Sequence, residues 1–178
     1  MDSQPQLKYP ALGRSDEGLL DEIFAVLKQA VNPLADAYSE DGSYAKAIET
    51  LPLGLRAMAA THHLDVSLTL DDIGWHFLNF GEPEFVMQTE DGLRELGLGD
   101  LANWFKEAYS ILKPLKAEIA SADDYCEVLT SHGQMDRINE LTEKARKLKP
   151  DLQGSPIYAA WIRYARQHPE NVFEHRPS

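Results

Sequence analysis

An all-α, compact single domain of about seven or eight helices is what this sequence predicts, on three observations. Apolar residues recur at three- and four-residue spacing in segment after segment. Helix caps and stops (Ser, Asp, Pro, Gly) punctuate those segments. Only residues 64–70 alternate as a strand would, through Leu64, Val66, Leu68 and Leu70, and nothing nearby offers a partner, so they are read as loop or helix extension. With 178 residues, 43% of them hydrophobic, the chain can close one core but not two independent ones. Residues 1–14, which hold two prolines and no periodicity, form an extended lead-in. Residues 15–173 form the helical domain and 174–178 a tail.

The first helix opens at Ser15 or Asp16 and turns Leu20, Ile23, Phe24, Leu27 and Val31 to one face. Pro33 allows a kink or break, and Glu40-Asp41-Gly42-Ser43 marks a turn before a helix from about Tyr44. Pro52 fits the first turn of the next helix, which buries Leu51, Leu55, Met58 and Ala59 and ends near His62 or His63. Thr69 then caps a short aromatic helix over 71–80, with Asp71 and Asp72 at its positive end and Gly81 as its stop. A further helix spans 83–96, halted by Gly97 and Gly99, and Asp100 caps one carrying Leu101, Trp104, Phe105, Ala108, Ile111 and Leu112. Pro114 bends its end, Ser121 caps 122–129, and His132-Gly133 separates that piece from a striped helix over 134–148. Ser155-Pro156, a cap followed by proline at the first helical position, opens the last one, with Ile157, Trp161 and Tyr164 inward.

One cysteine, Cys126, permits no internal disulfide, and Met1 to Pro10 lack a basic region followed by an apolar run. A cytoplasmic location is therefore expected. No run of about 18 apolar residues suggests a membrane span. The net charge of -12 argues against direct nucleic-acid binding and against an anionic membrane surface, and favours a basic or neutral partner. All of that excess falls in residues 1–100, which hold 18 acids and 6 bases.

Signatures for phosphate loops, nucleophile elbows, zinc proteases and EF-hands are missing. The glycines at 92, 97 and 99 follow a helix and not a strand, so they stop a helix instead of cradling phosphate. His62, His63 and Asp65 with His76 could be imagined as zinc ligands, but their spacing is not that of a zinc signature. A helix end with one exposed and one packed histidine is the plainer account. Cys126 with His132 suggests a nucleophile and base, yet Cys126 on an amphipathic helix is more simply a small buried group. Trp75, Phe77, Phe80 and Phe85 could line a ligand pocket, though helical spacing makes core the better assignment. The basic run Lys144 to Lys149 complements a helix C-terminus.

The strongest feature is an acid run, Asp65, Asp71, Asp72, Glu82, Glu84, Glu90, Asp91, Glu95 and Asp100, against the single base Arg94. Gathered like charges repel, so such a run calls for a use, and one use is imitation of a phosphate backbone before a DNA-binding protein.

Three segments bear on this. Leu51-Pro52-Leu53-Gly54-Leu55-Arg56, then Ile73 to Gly81 followed by Leu93 to Gly97, and finally Tyr164 to Glu170 with Phe173 lie in the order found in a bacterial family of small acidic all-helical proteins. Over roughly residues 44–173 the chain resembles that family, which includes a DNA-mimic protein and many members of unknown function. It departs where Asp72-Ile73-Gly74-Trp75 replaces the usual N-G-G-F. The resemblance implies a helical fold, frequent dimerisation and, in one member, occupation of a transcription factor in place of DNA; it supplies no catalytic residues.

The expectation is a non-enzymatic, cofactor-free acidic protein that engages a basic partner, such as a DNA-binding regulator, through Asp65, Asp71, Asp72, Glu82, Glu84, Glu90 and Asp91. The alternatives are an immunity or antitoxin protein neutralising a basic toxin, and a small metal-dependent enzyme built on His62, His63, Asp65 and His76.

Overall fold

The computed structural model describes residues 7–31, 36–148 and 155–173. Among them the fold is all-α: α1 (Asp16–Ala30), α2 (Ser43–Glu49), α3 (Leu53–Leu70), α4 (Ile73–Asn79), α5 (Pro83–Glu95), α6 (Gly99–Leu112), α7 (Lys116–Ser121), α8 (Tyr125–Ser131), α9 (Met135–Arg146) and α10 (Pro156–Gln167). Three 3-10 turns, Tyr9–Gly13, Lys113–Leu115 and Pro169–Asn171, link or flank them.

The centre of the molecule is α3. It packs most extensively on α5 and also on α4, α10 and α2. Residues on every side of it are buried, among them Leu55, Met58, Ala60, Thr61, Leu64 and Ser67. A helix apolar all round shows no 3.6-residue stripe, which is why residues 64–70 alternate like a strand while remaining helical. With no Gly or Pro between Leu55 and Leu70 to stop it, α3 continues past the end expected near His62 or His63. Two glycines let its neighbours approach. A Cβ on Gly92 of α5 would lie 3.0 Å from the Ala57 carbonyl oxygen and 3.2 Å from the Ala57 Cα, and one on Gly54 would lie 2.6 Å from Val172 Cγ2.

Several caps match the sequence. Ser15 Oγ accepts from the Gly18 amide at 3.2 Å, and Ser155 Oγ accepts from the Tyr158 amide at 2.9 Å. Gly42, at φ 70°, makes the turn into α2. Others are reassigned. Asp72 caps α4, accepting from the Trp75 amide at 2.8 Å, while Thr69 stays inside α3 and donates to the Asp65 carbonyl at 2.9 Å. Asp124, and not Ser121, caps α8; Ser121 is the last residue of α7 and donates to the Ala117 carbonyl at 2.9 Å. Asp100 lies within the first turn of α6, after Leu98 at the cap position. Proline's missing amide at 114 interrupts the α6 ladder, so a 3-10 turn and α7 follow α6.

The lead-in is more than extended chain. Leu7 and Ala11 are buried, a parallel bridge joins Leu7 to Phe173, and Arg166 of α10 donates to the Leu12 and Arg14 carbonyls at 3.0 and 3.1 Å and to the Asp16 carboxylate. Pro33 and the tail 174–178 lie outside the described residues.

Candidate functional site

The seven acids expected to meet a partner do not share one exposed face. Asp65 is only 8% exposed; Ser155 donates to it, and burial raises its carboxyl above the ordinary range. Asp72 is equally buried, capping α4 with one oxygen and accepting from the Tyr125 phenol with the other. Glu82 caps α5, accepting from the Glu84 and Phe85 amides at 3.1 and 2.7 Å. Glu90 is tied to Arg94 at 2.9 Å and Lys106 at 3.3 Å; burial pushes its carboxyl up, but these two cations outweigh that and hold it below the ordinary range. Only Asp71, Glu84 and Asp91 remain without such internal duties among the described residues, and of these Asp71 and Asp91 are exposed. As contact charges, Asp65 and Asp72 are therefore corrected: a buried carboxylate with its hydrogen bonds already made has no face to offer a partner. One of those that remain, Asp91, lines a groove between α2, α3 and α5 together with Glu49, Glu95 and Arg56.

The imagined metal constellation is not assembled. His62 Nδ1 pairs with the Tyr158 hydroxyl at 3.1 Å, His63 stacks on Phe80 with centroids 4.5 Å apart, and Asp65 is taken by Ser155. Among the described residues no three His, Cys, Asp or Glu side chains converge as ligands. His76 is fully buried. The Ser67 hydroxyl spends its one proton on the His63 carbonyl at 2.8 Å, so His76 Nδ1–H must donate to Ser67 Oγ, 3.0 Å away. That tautomer leaves Nε2 as a buried acceptor without a partner. Burial pushes His63 down to about 4 and His76 down to about 3, with a neighbouring histidine adding to each effect.

Cys126 and His132 do not form a nucleophile and base. His132 faces Glu118 at 2.9 Å, and the Cys126 thiol is pushed up by burial and by Asp124, which disfavours the thiolate. In the described part of the basic run, Lys144 pairs with Glu140 at 2.7 Å, and Arg146 donates to the Leu68 carbonyl at 3.1 Å and to the Asp71 carbonyl, closing the end of α3; Lys149 lies outside the described residues.

The aromatic cluster divides. Phe80 and Phe85 are core, each 1% exposed, whereas Phe77 turns one side to a cleft of about 660 Å³. The cleft runs along α4. It is lined by Phe77 and Leu78 of α4, Tyr109 and Leu112 of α6, and Ile119 and Ala120 of α7. Phe77 and Tyr109 face each other with centroids 5.3 Å apart. Gly81 lines the far end of α4, where a Cβ would collide with the Phe77 carbonyl oxygen. Charged groups stand at the rim. Lys116 pairs with Glu40 at 2.6 Å, and Lys113 lies 5.6 Å over the Tyr109 ring. Asp123 and Asp124 lead into Tyr125, which also lines the cleft. Sequence reasoning named Phe77 as a residue that could line a pocket but preferred core for it, and did not find the other wall, because α7 is a short helix with no buried residue and so no apolar stripe. The available signal was Pro114, which lies in the 3-10 turn between α6 and α7, both of which line the cleft.

Compared with known proteins, the chain matches no family model, no curated protein and no solved structure. The likeness of its three segments to the DNA-mimic family rests on those residues alone. Among the described residues, no helix is long and apolar enough to cross a membrane.

Proposed function

We propose that this protein is a ligand-binding domain and that the cleft along α4 is its binding site. One observation carries this: an open cavity of about 660 Å³ with apolar and aromatic walls and charged groups confined to its rim. Ligand sites are typically concave, mostly apolar and roughly 300–1,000 Å³ in volume, with a few polar groups to fix orientation. Leu78, 41% exposed in this wall, is apolar surface that an occupant would remove from water. Titration with Nile red, a neutral apolar dye, tests the idea. The intact chain should bind it at a single site, Ile119→Glu should abolish binding, and Met87→Glu, a change at an exposed residue outside the cleft, should not. Absence of dye binding by the unaltered chain, or equal binding by Ile119→Glu, would sink the proposal.

A second function, engagement of a basic protein partner, is supported by the groove that Glu49, Asp91 and Glu95 line against the single cation Arg56. A DNA-binding regulator or a basic toxin would each present suitable Lys and Arg groups. Affinity capture from source cells at low and high salt tests it: a basic protein retained only at low salt, and lost on Glu49→Gln with Asp91→Asn, supports the idea, whereas salt-insensitive capture opposes it.

A further inference from the structure

The two ends of the cleft differ in charge, and the difference selects an occupant. At the end formed by Gly81 and the start of α7, Glu40 and Lys116 neutralise each other at 2.6 Å. At the other end Asp123 and Asp124 border the Tyr125 ring, and among the described residues neither has a cationic partner. Asp124 accepts the Cys126 amide at 2.8 Å. Asp72 accepts a hydrogen bond from the Tyr125 hydroxyl, so a third carboxylate adds to the potential at this end. Burial pushes the Tyr125 phenol and the Cys126 thiol upward; beyond burial, Asp72 adds to both and Asp124 adds to the Cys126 shift, so the field of these carboxylates reaches both side chains. Lys113 opposes that field, but it is placed over Tyr109.

Resting on the cleft as binding site, we propose that its ligand is an amphiphilic organic cation: an apolar body laid along Phe77, Leu112 and Ile119, with an ammonium or amidinium head against the Tyr125 face between Asp123 and Asp124. An aromatic face flanked by carboxylates holds such a head by its quadrupole and by direct charge attraction. The net charge of -12 raises the local concentration of cations and repels the corresponding anions. An apolar carboxylate, by contrast, would have only Lys113 to meet, because Lys116 is already paired.

Calorimetric titration of the full chain with three probes sharing one alkyl length, each below its micelle concentration, tests this: decyltrimethylammonium, decanol and decanoate. The cation should bind tightest, roughly tenfold above decanol, with decanoate weakest. Its advantage should shrink with added salt and with Asp123→Asn, an exposed position whose change leaves the α8 cap intact, while decanol affinity stays constant. Equal binding of cation and decanol would overturn the cation assignment and leave the cleft as a site. Tightest binding by decanoate would reverse the assignment in favour of Lys113. If none of the three binds, both the cation assignment and the cleft itself fail.

Discussion

The Tyr125 phenol donates to one oxygen of Asp72 while the other oxygen accepts the Trp75 amide at 2.8 Å. One buried carboxylate thus starts α4, anchors α8 and fixes the end wall of the cleft. Asp72→Ala removes a cap and a charge-assisted hydrogen bond together, and should cost about 2–3 kcal/mol in urea denaturation. Tyr125→Phe, which leaves the cap, should cost less, about 1 kcal/mol. Equal stability of Asp72→Ala and the unaltered chain would refute this role.

Close approach of α5 to α3 depends on Gly92. Alanine there improves helix propensity, yet its Cβ meets backbone atoms of Ala57 that cannot turn aside. Gly92→Ala should destabilise by about 1–3 kcal/mol in thermal or chemical melts. Gly99→Ala, at the open start of α6 with nothing within 4 Å, should be neutral or slightly stabilising.

Acid should weaken the fold well above the range where carboxylates titrate. His63 and His76, at about 4 and about 3, refuse protons that the unfolded chain accepts near 6.5. Because the unfolded state binds more protons in that interval, the stability from these neutral rings is complete above about pH 6.5. It falls by up to ~1.4 kcal/mol per pH unit for each histidine as pH drops toward their folded values. The raised carboxyl of Asp65 acts in the opposite sense: its contribution is greatest below 3.8 and is lost as pH rises through its folded value. Denaturation at a series of pH values between 7.5 and 4.5, as test conditions, reads the slope. In His76→Phe that slope should be shallower whatever the absolute stability, and an unchanged slope would contradict the assignment.

Arg166 holds the N-terminal segment to α10 through two carbonyls and a carboxylate. Being partly exposed, it should contribute little to global stability, about 1 kcal/mol or less. Hydrogen exchange offers a more direct reading: Arg166→Ala should raise exchange at Ala11 and Arg14, whose amides donate within the 3-10 turn, and leave α3 protected.

What the sequence by itself determined is the helical class, most helix starts and the single core, because spacing, capping residues and proline act within a few residues of chain. Ser15, Gly42 and Ser155-Pro156 could be read directly for that reason. The length of α3 could not, since a helix enclosed by neighbours loses the stripe that marks amphipathic ones. Nor could the fate of the acid run: nine acids against one base gives a count, but whether each meets water, a backbone amide, a tyrosine or an arginine depends on partners distant in sequence. Tertiary structure decided that Asp65 faces Ser155, that Asp72 faces Tyr125 and that Glu90 faces Lys106. It also decided that Ile119 and Ala120 of α7 join Phe77 and Tyr109 in lining an apolar cleft that no local pattern announces.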